Sequence, residues 1–201
     1  MSEFERWEAR FAAPEYVFGK APNAFLKSHA HLLKKGQKAL AFADGEGRNG
    51  VFLAECGLDV LSIDFSPNAI AKAKALARER GVTLRVEQAD IFTWNWPTAA
   101  FDVIVGIFFQ FAPPDMRTQV FKNIKKALKP GGLLLIQGYR PEQVDYKTGG
   151  PPHRENMYTR KLLQEAFGDF SSLEINEHDS EVDEGSGHKG ISALIDLVGR
   201  K

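Results

Sequence analysis

The chain has 201 residues, with 26 Lys+Arg against 26 Asp+Glu, one cysteine and 43% hydrophobic residues, a length and composition suited to one ordinary hydrophobic core. The charge balance gives no electrostatic footprint for nucleic acid or an anionic membrane, Cys56 alone excludes an internal disulfide, and the acidic start MSEFERWEAR is unlike a secretory signal. The most apolar run, Val103 to Pro114, contains Gln110 and falls short of the ~20 residues of a membrane span, so the chain reads as one cytoplasmic domain, 1–201.

Residues 1–35 read as a helical arm. Ser2 and Glu5 have capping-box spacing, and Phe4, Trp7 and Phe11 recur at helical spacing over about 3–12. After the turn-rich PEYVFGKAPN, Pro22 suits the first turn of a helix near 22–34. From 36 to 140 strands and helices alternate. Ala39 to Ala43 is a strand buried on both faces that runs into a glycine turn, and a helix near 48–56 follows. Asp59 to Asp64 is the second strand. Ser66-Pro67 caps a helix whose stripe is Ala69, Ile70, Ala73, Leu76 and Ala77. Val82 to Val86 and Phe101 to Phe108 are the third and fourth strands. The helix from Pro114 to Leu128 presents Met116, Val120, Phe121, Ile124 and Leu128, and Lys129-Pro130-Gly131-Gly132 stops it before strand Leu133 to Gln137. This order predicts an α/β, doubly wound, parallel sheet. Residues 138–158 form a long candidate substrate loop. A helix near 159–167 precedes strands at about 172–182 and 190–198, joined through Glu184-Gly185-Ser186-Gly187-His188 as a hairpin.

The turn Gly45-Glu46-Gly47-Arg48-Asn49-Gly50 matches G-x-G-x-x-G between a strand and a helix, and Asp64 ends the next strand. A carboxylate there suits the ribose hydroxyls of an adenosine cofactor, whether a dinucleotide or S-adenosylmethionine. A pyrophosphate would meet repulsion from Asp44 and Glu46, although Arg48 is placed to offset one of them. S-adenosylmethionine brings a sulfonium and an ammonium, which acidic neighbours suit.

Asp64 in SIDFSP, Asp90 in EQADIF, FDVIVGIFF at 101–109 and Leu128-Lys129-Pro130-Gly131-Gly132 follow that turn in order. Together they resemble the class I S-adenosylmethionine-dependent methyltransferases over about 38–140. GEGRNG, Trp7-x-x-Arg10-Phe11 and Pro22-Asn23 look closest to the tellurite-resistance and thiopurine-type small-molecule branch. The sequence departs from the family where Ala43 takes its first glycine and Ala41 its strand-one acid. The resemblance implies a mostly parallel, Rossmann-like, seven-stranded sheet with a C-terminal antiparallel hairpin. It implies that Asp64 holds the ribose, Phe65 packs on adenine, and Asp90 with Ile91 meets the adenine amino group. Asp44, Gly45 and Gly47 then line the methionine moiety, and backbone at Gly106 meets its ammonium.

The implied reaction is methyl transfer from S-adenosylmethionine to a small-molecule acceptor. No convincing general base is present, which favours a soft S, Se or Te nucleophile. Trp7, Tyr16, Phe108, Tyr139 and Arg140 are candidate walls of the acceptor pocket. An NAD(P)-dependent oxidoreductase and a non-catalytic S-adenosylmethionine-binding protein are the alternatives. His29 and His31, two apart in a predicted helix, point to different faces, and the remaining histidines are scattered, so no metal pattern exists. His188 reads as a surface residue, Cys56 as buried and inert, and Glu174 to Glu184 as a solvated strand face.

Overall fold

A computed structural model describes residues 2–185 and 188–201. Its strands order β3-β2-β1-β4-β5-β7-β6 in a seven-stranded sheet. β1 (Lys38–Phe42), β2 (Asp59–Asp64) and β3 (Arg85–Gln88) pair in parallel, as do β4 (Phe101–Ile107) and β5 (Leu128–Tyr139). β7 (His188–Arg200) runs antiparallel to β5, and β6 (Ser172–Glu184) is the outer strand of the C-terminal hairpin. The doubly wound, mostly parallel architecture agrees with the sequence. The predicted hairpin tip residues Ser186 and Gly187 lie outside the described residues.

The chain divides into two compact units, the first comprising Met1–Trp94 with Glu184–Gly187 and the second Asn95–Asp183 with His188–Lys201. In the first unit Ala39, Leu40, Ala41 and Phe42 of β1 are buried, which explains the small residues of this strand. Helix α1 (Glu3–Phe11) carries the predicted capping box, with the Ser2 N–H donating to Glu5 Oε2 at 2.8 Å. Its Trp7 and Phe11 pack with Val17, Phe18 and Ala69. Helix α2 is short, Ala24–Ser28, followed by a 3₁₀ turn at Ala30–Leu32. Pro22 therefore precedes the N-cap, Asn23, whose side chain accepts from Leu26 N–H at 3.0 Å and fixes the start. Because this helix ends at Ser28, His29 and His31 do not diverge: their rings stack at 6.0 Å. Helix α3 (Arg48–Glu55) leaves the glycine turn. Cys56 caps it and is half-buried, and burial raises its thiol pKa. Helix α4 (Pro67–Glu79) buries the predicted stripe, and Ser66 Oγ accepts from Ala69 N–H at 3.1 Å. β3 begins three residues later than the hydrophobic pattern from Val82 suggests. Val82 and Leu84 instead pack with Val51, Leu76 and Ala77.

In the second unit α5 (Pro114–Ala127) buries Arg117, Val120, Phe121, Ile124 and Ala127, whereas Met116 is 40% exposed. The inward face is thus rotated from the predicted one. Phe121 meets Phe167 of α7 (Arg160–Phe167) at 5.1 Å, and Phe109 and Tyr158 join them. Lys129 to Gly132 does not stop before the strand, since β5 already starts at Leu128. The register jumps from Phe101 opposite Leu128 to Val103 opposite Leu133, so the segment is a bulge. The 138–158 segment is not structureless. It holds α6 (Gln143–Tyr146) and a 3₁₀ turn at Arg154–Asn156, and Gln143 Oε1 accepts from Ala193 N–H at 2.8 Å. Among the described residues no helix is long and apolar enough to cross a membrane.

Candidate functional site

Within the first unit, β1 ends at Phe42, and the next residue, Ala43, adopts φ 48°, a left-handed conformation that costs an L-residue about 1–2 kcal/mol. The turn continues through Gly45 (φ 58°) and Gly47 (φ 84°). A Cβ on Gly47 would stand 2.5 Å from Ala73 Cβ, so this glycine lets α3 and α4 approach closely. A Cβ on Gly50 would stand 2.5 Å from Asp44 Oδ2.

Asp64, 4% exposed at the end of β2, anchors the turn. Its Oδ2 accepts Gly45 N–H at 2.8 Å and its Oδ1 accepts Ser66 N–H at 3.0 Å. Desolvation pushes its pKa up to about 6 against these hydrogen bonds, with Glu8 adding to the rise. Phe65 meets Phe4 of α1 edge-on at 5.6 Å. Glu8, from the same helix, accepts from the Ser66 hydroxyl and from Asn68 N–H at the start of α4, where a carboxylate complements the helix dipole. Asp90 is exposed and opens a turn: its Oδ1 accepts Phe92 N–H at 2.9 Å, while Ile91 is 3% exposed.

The two acids of the turn are both committed to the protein. Asp44 Oδ2 accepts the Ser62 hydroxyl at 2.7 Å and Gly50 N–H at 3.0 Å, and desolvation pushes its pKa up to about 7. Glu46 is 3% exposed, accepts Val17 N–H at 2.8 Å and pairs with Lys72 at 2.7 Å. Arg48 offsets Asp44 through space, lowering its pKa, but its direct partner is neither of the two acids. It pairs with Glu184 at 2.6 Å, and Glu184 also accepts from Asn23 Nδ2 at 2.9 Å. The argument that these acids favour a sulfonium therefore loses its geometric basis. Glu184, at the far end of the acidic β6 stretch, is thus paired and largely withdrawn from solvent, whereas Asp183 beside it stays exposed.

The candidate pocket residues separate into groups. Trp7 stacks on Phe11 at 5.4 Å. Tyr16 belongs to a different cluster, packing with Val51, Leu76 and Ala77 and donating to Lys72 O at 3.0 Å. In the second unit Gly106 is buried within β4, and Phe108 follows with φ 54°. Phe108 stacks on Tyr139 at 4.6 Å, and both rings meet His188, at 4.7 and 5.6 Å. His188 is 8% exposed, not the surface residue its glycine-rich surroundings suggest. Arg140 is tied to β6, pairing with Asp179. Among the described residues no His, Cys, Asp and Glu group suited to a metal ion occurs.

Residues 39–132 match the family described as a methyltransferase domain, the segment that carries the glycine turn, Asp64 and Asp90. This segment is a methyltransferase domain. It is 28% identical over 177 residues to a probable thiol methyltransferase 2 of Arabidopsis thaliana, covering 84% of this chain and 74% of that one. It is 36% identical over 112 residues to phosphoethanolamine N-methyltransferase 1 of Triticum aestivum, spanning 53% of this methyltransferase but 22% of that relative. The fold resembles TehB from Haemophilus influenzae, with TM-score 0.74, 23% identity, and coverage of 98% of this chain and 66% of that one. The family match decides against the NAD(P)-dependent oxidoreductase.

The donor set of the first unit fits the cofactor of this family. An ionised carboxylate offers about four lone-pair sites, and Asp64 uses three of them on the backbone N–H groups of Gly45, Ser66 and Phe65, so acceptor capacity remains for one ribose hydroxyl. Asp90 likewise keeps its Oδ2 available beside a buried aliphatic side chain.

Proposed function

We propose that this methyltransferase transfers the methyl group of S-adenosylmethionine to a small thiol or a similarly soft nucleophile, the chain acting as one domain. Asp64 carries the reading: it is a buried acceptor at a parallel-strand carboxyl end, beside a glycine turn, with acceptor capacity left for a ribose hydroxyl. Phe65 would cover the adenine, Asp90 and Ile91 its amino edge, and the Asp44–Gly45–Gly47 backbone the methionine moiety. When bound, the cofactor supplies an electrophilic methyl group that a thiolate takes without a strong general base. The protein's part is to position the acceptor and exclude water.

The thiol assignment draws on the similarity to a plant thiol methyltransferase and on the resemblance to the tellurite-resistance and thiopurine-type branch. The test is transfer of labelled methyl to a panel of small thiols and primary amines. Labelled thioethers are expected. Transfer to amines alone would replace the acceptor class, and no transfer to any acceptor would favour the non-catalytic binder.

A further inference from the structure

Helix α5 of the second unit carries a cation into the interior without a counter-charge. Arg117 is 6% exposed, and its Nη1 donates to Glu155 O at 2.7 Å. Its Nε is buried and has no acceptor, and no carboxylate pairs with the guanidinium, among the described residues. The acids closest to it in the chain or at that carbonyl face solvent. Asp115 is exposed, and the exposed Glu155 side chain stands 3.7 Å from His153. Arg117 also sits near the N-terminal end of α5, where a positive charge opposes the helix dipole. A buried guanidinium with neither a charge partner nor a full set of acceptors is costly, and this burial lowers its pKa.

A second unserved donor lies beside it. Tyr158 is fully buried, its ring meeting Phe109 at 5.6 Å and Phe121 at 5.8 Å, and its hydroxyl has no hydrogen-bond partner among the described residues. Arg117 and Phe121 are one turn apart on the buried face of α5. The two polar groups are close enough for the charge of each to act on the other. Burial raises the Tyr158 pKa well above its usual value, so the group stays a neutral O–H donor.

We propose that Arg117 Nε and the Tyr158 hydroxyl bind a small monovalent anion of halide size between α5 and residues 155–158. A halide accepts from several donors at once and balances the guanidinium, which a water molecule does not. Two groups so well shielded leave no open side for the body of a larger carboxylate or phosphate ester. The ion fastens the end of the 138–158 segment, whose Tyr158 N–H donates to Tyr139 O at 2.9 Å at the end of β5. This site is independent of the methyl-transfer reading.

Thermal unfolding of the full-length protein in sodium gluconate and in sodium bromide, at equal ionic strength and pH, tests it. The wild type should gain about 3–5 °C in Tm for each tenfold rise in bromide once the site fills. Tyr158→Phe keeps the ring and removes only the hydroxyl, and it should lose most of that rise. Arg117→Met should lose all of it. A wild type whose Tm does not rise with bromide would overturn the site. A rise of equal size in Tyr158→Phe, or in a folded Arg117→Met, would place the ion elsewhere and overturn it too.

Discussion

The Asp64 carboxylate accepts the backbone N–H of Gly45 at 2.8 Å, so the group proposed to hold the ribose also holds the glycine turn in shape. Its pKa of about 6 makes this double role dependent on pH. Protonation removes acceptor capacity, so cofactor affinity should be constant above that value and fall below it. Titration calorimetry at pH 7 and pH 5 should show about tenfold weaker binding of S-adenosylmethionine at the lower pH. Asp64→Asn should flatten this dependence. A wild-type affinity equal at both pH values would show that ionised Asp64 is not required.

Stability should respond to pH in the opposite sense. Asp44 is raised from 3.8 to about 7 and Asp64 to about 6, in both cases first by desolvation. Both folded values lie above the unfolded one, so the native state holds these protons more tightly. Their stabilising contribution is fully present below about pH 4 and is lost as pH rises through 6 and 7. Asp44→Asn keeps a carbonyl acceptor without the charge. It should therefore be more stable than the wild type at pH 8, by roughly 1 kcal/mol or more, with the difference shrinking toward pH 5. Urea denaturation at the two pH values checks this, and a variant equally destabilised at both would contradict it.

Gly47 is where sequence and packing meet most tightly. A Cβ there would overlap Ala73 at 2.5 Å and would sit on a residue with φ 84°. Gly47→Ala should cost about 2–4 kcal/mol from overpacking and left-handed strain together. A loss below about 0.5 kcal/mol in equilibrium unfolding would mean that α3 and α4 are not held as closely as described.

The Arg48–Glu184 pair is mostly buried, with side chains 8% and 11% exposed. Glu184→Ala leaves a desolvated guanidinium and takes an acceptor from Asn23 Nδ2. The expected loss is about 3–5 kcal/mol, and Glu184→Gln should cost less. Denaturation of both variants decides the matter. Equal and small effects would mark the pair as solvent-screened.

Local rules made much of this legible. The Ser66 cap, the stripe on α4, the capping box on α1 and the strand–turn–helix around Gly45 follow from short spacings, and the fold bears them out. What escaped depends on partners distant in the chain. Nothing local marks Glu184 as the partner of Arg48, 136 residues earlier. Glycine-rich flanks disguised His188, which Phe108 and Tyr139 enclose. Lys129 to Gly132 read as a helix stop, whereas the strand already begins at Leu128 and its register shifts across these residues before resuming at Leu133. The candidate ligand residues came from the resemblance. Asp64 and Asp90 keep acceptor capacity, whereas the Asp44 and Glu46 carboxylates face inward, which the sequence pattern had no means to indicate.

The most direct test of the account is calorimetry of S-adenosylmethionine against the wild type and Asp64→Ala, with circular dichroism showing that the variant retains its secondary structure. Saturable one-site binding, weakened at least about tenfold in the variant, is the predicted result. An unchanged dissociation constant in the variant, or a wild type that binds NAD but not S-adenosylmethionine, would contradict it.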